Sequence, residues 1–268
     1  MSTATATAVD AAPATIDMRK QGVPLSRLIK VELRKMIDTR AGFWLVMAMV
    51  VISAFITTAM LIWGEQTDLT FGNMFGMMNI PTGVLLPVLA ILLVTSEWSQ
   101  RTGLVTFTRE PRRSRTVTAK LATSLVYAFG AVVVALAFGA IGTLLADLFR
   151  GDIVNQWDMT WVGLGNSMLL QMLALLAGFG FAMLIMNSAA AIVLFFALPT
   201  VWSILSSIIP WLRENIQPWA DFQMTQMPFQ SGEAASGDEW ARLAVASTIW
   251  VVLPVVVGIW RLLRSEVK

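Results

Sequence analysis

The 268-residue chain has no cysteine and no histidine, a single tyrosine, and charged side chains at only 13% of its positions. Each shortage removes a class of chemistry. Without cysteine there is no disulfide framework and no thiolate nucleophile or ligand. Without histidine there is no imidazole ligand and no ordinary acid/base group for neutral pH. Zinc sites of the usual imidazole or thiolate kind, and histidine-based triads, are therefore excluded. The chain also lacks a G-x-x-x-x-G-K-[ST] run, so it has no phosphate loop of that type to cradle ATP. The scarcity of charge is matched by 56% hydrophobic residues, the composition of an all-α integral membrane protein.

Crossing about 30 Å of hydrocarbon at about 1.5 Å per residue takes roughly 20 apolar residues. Six stretches qualify, at about 41–63, 75–96, 121–146, 161–186, 190–209 and 243–260, and none contains Asp, Glu, Lys or Arg. Pro81, Pro87, Pro199 and Pro254 fall inside them, which membrane helices tolerate when neighbours satisfy the freed carbonyls. Six spans divide the remaining charge unevenly. Sixteen of the nineteen Lys and Arg fall on the side of the N terminus, and only Arg150, Arg213 and Arg242 on the other. Positive residues stay inside. The expected topology thus has both termini cytoplasmic, in a multi-pass protein of the plasma membrane. Residues 1–18, small and polar without an apolar h-region, are expected to form a disordered tail rather than a signal peptide.

Between tail and first span, within residues 19–40, PLSRLIKVELRKMIDTR places Leu25, Leu28, Ile29, Leu33, Met36 and Ile37 at helical spacing. Arg27, Lys30, Glu32, Arg34 and Lys35 fall among them. This pattern predicts an amphipathic helix lying in the interface, either as a plain juxtamembrane anchor or as a contact for a cytosolic partner. The densest cationic cluster follows the second span, in EWSQRTGLVTFTREPRRSRTVTAK, residues 97–120. Topology alone accounts for a basic loop on that side; a docking surface is the sharper reading. Glu97 stands at a helix C-terminus, where the dipole disfavours an anion, so either the helix continues past it or a cation such as Arg101 compensates. On the other side, residues 210–240 mix Trp211, Trp219, Phe222 and Phe229 with three prolines. Short re-entrant or interfacial helices are expected there, a loop on the headgroups being the alternative.

The spans carry no ionisable relay, and their polar residues are neutral, which argues against an ion-coupled pump. Any energy source must come from another protein. Phe43, Trp44, Phe55, Asn79 and Gln171 are candidates to line a path for an apolar or amphipathic cargo; facing lipid or neighbouring helices is the commoner role for such residues. Small residues at Gly130, Gly139, Gly142, Gly178 and Gly180 permit close helix approach.

Taken together, the amphipathic RLIKVELRKMIDTR, the first span, and SEWSQRTGLVTFTREPRRSRTVTAKL after the second resemble the membrane subunit of an ABC-2-type transporter. Glu97, Arg101-Thr102-Gly103, Pro111 with Arg115, and Ala119-Lys120-Leu121 carry the resemblance, which extends to six spans and an aromatic hairpin before the last. It implies a fold in which an elbow helix precedes six transmembrane helices and two such permeases pair, as identical or related chains. Two separate ATP-binding subunits would hold ATP and Mg, with no cofactor, metal or nucleic acid bound by this chain and no catalysis of its own. In that scheme Glu97, Arg101, Thr102 and Gly103 form the coupling region, flanked at the membrane surface by Arg112, Arg113, Arg115 and Lys120. Export of a small hydrophobic or amphipathic substrate such as a drug, antibiotic or lipid, as in multidrug efflux, is the implied function. An ion-gradient transporter and a non-transporting anchor or sensor that recruits a cytosolic partner are the competing readings.

Overall fold

The computed structural model describes residues 23–99, 112–151 and 156–264 of the chain, and these residues are helical with short connections. Helix α1 (Leu25–Asp38) turns directly into α2 (Arg40–Trp63). The corner is one residue wide. Thr39 is extended and caps α2, its Oγ1 accepting from the Gly42 amide at 3.2 Å. A Cβ at Gly42 would fall 2.0 Å from the Met36 carbonyl oxygen, so only glycine allows this turn. Four long helices follow: α3 (Phe71–Ser99), α4 (Arg113–Arg150), α5 (Trp161–Ile185) and α6 (Ser188–Ile208). Met186, in the left-handed region at φ 56°, reverses the chain between α5 and α6. Asn187 then caps α6 by accepting from the Ala190 amide at 3.0 Å.

Two short helices, α7 (Pro210–Asn215) and α8 (Gln217–Ala220), and a 3-10 turn at Met224–Gln230 make up the hairpin before the last long element. That element begins at α9 (Gly237–Ser247), with a capping box between Ser236 and Glu239. It passes through one π turn at Thr248–Val252 and ends as α10 (Leu253–Arg264).

Six of these helical stretches are long and apolar enough to cross a membrane: Arg40–Trp63, Phe71–Trp98, Ser114–Arg150, Trp161–Ile185, Ser188–Ile208 and Gly237–Arg264. They overlay the six stretches expected from hydropathy, and all but Trp161–Ile185 extend beyond them at one end or both. The largest extension is in α4, whose 38 residues make it about 57 Å long, far beyond a hydrocarbon core of about 30 Å. Its first turns therefore absorb Arg113 to Lys120, which sequence reasoning assigns to a loop. Hydropathy marks where charge begins, whereas the helix stops only where its backbone bonds stop.

The bundle is organised around α3, which packs against α2, α4 and α5, while α10 packs along α5. Leu86, Leu89, Ala90 and Leu93 of α3 meet Leu175, Phe179, Ala182 and Met183 of α5 in one buried cluster. Small residues bring the backbones together there. A Cβ on Gly178 would lie 2.7 Å from the Pro87 carbonyl oxygen, and one on Gly180 would lie 3.0 Å from Pro254 and Val255 atoms of α10. Gly130, expected to play the same part, has nothing within 4 Å of such a position. In contrast with α3, helices α2 and α6 are peripheral and present much of their apolar surface outward.

The hairpin at 210–240 forms the short helices expected of it. Its aromatics divide between two environments: Phe222 and Phe229 are buried, the latter edge-on to Trp240 at 4.7 Å, while Trp211 and Trp219 are exposed. Asp221 fixes the turn by accepting from the Gln223 and Met224 amides, and Trp250 Nε1 from the π turn donates to the Ala220 carbonyl at 2.7 Å.

Candidate functional site

The site grows from the side of α1 that faces the bundle. Helical spacing puts Leu28, Ile29, Glu32, Lys35 and Met36 along one strip, and this strip lies against the opening turns of α4. Backbone oxygens of α1 serve as acceptors for α4: Tyr127 Oη donates to the Leu33 carbonyl at 2.9 Å, and Thr123 Oγ1 to that of Ile29 at 3.5 Å. Arg115 Nη2 donates to the Val23 carbonyl just ahead of the helix. In this way α1 is laid along the first turns of α4. Of that stripe, Met36 is buried, whereas Leu25 and Ile37 are exposed.

At the centre of the contact four charges meet. Lys120 of α4 is 2% exposed; its Nζ donates to Glu32 Oε2 at 3.0 Å and to the Leu93 carbonyl of α3 at 3.0 Å, and lies 3.4 Å from Glu97 Oε1. Lys35 reaches the same Glu97 oxygen at 3.6 Å and Glu32 Oε1 at 3.9 Å. Among the described residues, two carboxylates and two ammonium groups thus sum to zero in a water-poor junction of α1, α3 and α4. Glu97, 1% exposed, is the tightest point; it is held by ion-pair attraction, and neither of its carboxylate oxygens has a hydrogen-bond partner in good geometry among the described residues. The C-terminal dipole of α3 works against this anion. Among the described residues α3 runs past Glu97 to Ser99, and the cations that face Glu97 come from two other helices; Arg101, the cation expected to compensate it, lies outside the described residues.

The predicted coupling residues therefore separate. Glu97 and Lys120 come together in the quartet, joined by Glu32 and Lys35 from the elbow set. Lys120, expected at the membrane surface as a flanking charge, is instead buried within the bundle. Arg115 is half-buried and bonded to Val23, two residues before α1, Arg112 is exposed, and Arg113 opens α4. Arg101, Thr102 and Gly103 lie outside the described residues. Of the elbow cations, Arg27, Lys30 and Arg34 point away from the bundle, Arg34 making an exposed ion pair with Asp38 at 3.6 Å.

The pathway candidates separate as well. Asn79 of α3 and Gln171 of α5 meet: Gln171 Nε2 donates to Asn79 Oδ1 at 3.1 Å and to Thr82 Oγ1 at 2.6 Å. Asn79 Nδ2 also reaches Ser167 Oγ at 3.5 Å. Phe43, Trp44 and Phe55 take no part in this polar contact; at 45%, 66% and 70% exposure they project from α2. A hydropathy profile averaged over a span does not say which way a side chain faces, and only packing does.

Sequence reasoning did not pair Glu32 with Lys120. They lie 88 positions apart, and no periodicity links them. The one available signal was topological, since the end of α1, the end of the second span and the start of the third all fall at one membrane level.

No family model matches the chain, and no curated protein matches it either.

Proposed function

We propose that the chain is the membrane-spanning permease subunit of an ATP-driven exporter of the ABC-2 type, with both termini in the cytoplasm and a separate ATP-binding subunit as its motor. The observation that supports this reading best is the Glu32–Lys35–Glu97–Lys120 quartet. It ties α1 to both helices that flank residues 100–111, the segment carrying Arg101, Thr102 and Gly103. A partner that pushes on this segment moves the end of α3, the start of α4 and the amphipathic helix as one body, because separating them would strand a charge in a buried site. Helix α3 then carries the displacement through its contacts with α2, α4 and α5. Such a device needs two arrangements and a partner that favours one of them, which is what an ATP cycle on another chain supplies. The basic face set by Arg27, Lys30, Arg34 and Arg112 gives specificity for that partner more than raw affinity.

An ion-coupled transporter fits less well. Where α3 and α5 meet midway, the polar groups are the neutral Asn79, Thr82 and Gln171, and the buried ionisable groups among the described residues lie toward the ends, Glu32, Glu97 and Lys120 in the quartet and Asp221 in the hairpin. The test is purification of the tagged chain from its native membrane in mild detergent: a phosphate-loop ATPase should co-elute. Arg101→Glu and Gly103→Pro should then leave membrane abundance intact while ATP hydrolysis no longer drives transport. A chain that recruits a cytosolic protein without any ATP-dependent cargo movement would be an anchor or sensor, and the exporter reading would fall.

A further inference from the structure

At the opposite end of the bundle from the quartet, a cavity of about 270 Å³ opens between the start of α3, the 156–163 segment and the 230–233 turn. Among the described residues its charged lining is Asp158 and Glu233, with no Lys or Arg. Asp158 is half-buried and spends one oxygen on the α3 N-terminus, accepting from the Gly72 amide at 2.7 Å; Glu233 stands exposed at the rim. The 230–233 turn is fastened to α5, since Thr160 Oγ1 donates to the Gly232 carbonyl and Asn166 Nδ2 to that of Glu233, so the cavity has fixed walls. Along α5, Gly163 and Ser167 line the cavity and Gln171 continues the same stripe one turn further. Gln171, which is not itself a lining residue, is 4% exposed, and its Oε1 has no hydrogen-bond partner among the described residues. A second pocket, also of about 270 Å³, shares Met159 and Thr160 with the first and is otherwise lined by Phe71, Leu136, Trp157, Trp161 and Leu164.

We propose that these two adjoining cavities bind an amphipathic amine, with its ammonium group on the Asp158–Glu233 side and its apolar body against Trp157 and Trp161. Two carboxylates without a neighbouring cation select positive charge. A bare divalent ion would need more oxygens than this pair leaves free, and no group of three or more acidic side chains gathers among the described residues. An ammonium brings N–H donors suited to the carboxylates and to the Ser167 hydroxyl in the wall, and the indole faces attract both its charge and its hydrocarbon. Each cavity alone is small for a ligand site, but together they fall within the roughly 300–1,000 Å³ usual for one. Binding is independent of the exporter reading; only the step from ligand to cargo rests on it.

The test is calorimetric titration of phenylpropylamine into the purified chain in phosphatidylcholine nanodiscs, beside phenylpropanol and phenylpropionate. The amine should saturate one site per chain and bind about tenfold or more tighter than the alcohol, with the acid weakest. The double variant Asp158→Asn/Glu233→Gln should erase the preference for amine over alcohol, and Trp157→Ala should weaken both. Glu233→Gln alone, at an exposed position, should give part of the loss even where Asp158→Asn disturbs the start of α3. Adding phosphatidylethanolamine to the disc distinguishes sources: competition identifies a lipid headgroup amine, and no competition a free one. Equal binding of amine and alcohol, or an amine affinity unmoved by Glu233→Gln and the double variant, overturns the site while leaving the exporter reading untouched. Absence of an ATPase partner would do the reverse.

Discussion

Replacing Lys120 by methionine keeps the volume of the side chain and deletes its charge. Among the described residues Glu32 and Glu97 then have only Lys35 to share, and Glu97 remains 1% exposed. At an effective dielectric constant of about 20, opposite unit charges at the separations Lys120 holds to these two carboxylates attract by about 5 kcal/mol each. Against that stands the desolvation of each ion, several kcal/mol apiece, so the intact quartet is close to break-even compared with an apolar replacement. Removing one member is different, because the desolvation of the others remains while their compensation is gone. The expected cost of Lys120→Met is about 3–5 kcal/mol. The double variant Lys120→Met/Glu97→Gln leaves Glu32 facing Lys35 with no surplus charge and should recover at least half of that loss. Arg34→Met, which breaks only the exposed pair with Asp38, should stay within about 0.5 kcal/mol of the parent. Reversible unfolding in mixed micelles, followed by helical ellipticity against increasing denaturing detergent, reads all three. A single variant within about 1 kcal/mol of the parent, or a double variant less stable than the single, refutes the argument that this junction is a closed, charge-balanced unit.

Two further results are expected. Gly178→Ala sets a methyl against the Pro87 backbone and should cost about 1–3 kcal/mol in the same assay, whereas Gly130→Ala, with open space around it, should be neutral or stabilise by up to about 1 kcal/mol; equal effects would count against the close α3–α5 crossing. Because the chain has no cysteine, single probes are clean: Arg112→Cys should react with an impermeant maleimide only after the membrane is opened, and Ser231→Cys in intact cells. The opposite pattern would invert the orientation on which the proposed function depends.

The sequence by itself determined the elements that depend on local composition. Six apolar stretches give six long helices because burying uninterrupted hydrocarbon side chains and satisfying each backbone bond within one segment are requirements each stretch meets alone. The same holds for α1, whose spacing marks a helix wherever it docks, and for the Pro- and Trp-rich hairpin, whose prolines keep its helices short. Tertiary structure decided which residues meet. That Lys120 turns inward rather than toward the surface depends on Glu32 arriving from 88 positions away, and no local pattern contains that encounter. Gln171 finds Thr82 and Asn79 while Phe43, Trp44 and Phe55 remain outside for the same reason. Helix formation is a property of neighbours along the chain, but the pairing of charges and the walls of a cavity belong to distances through space. These are fixed only once glycines such as Gly178 let the helices close on one another.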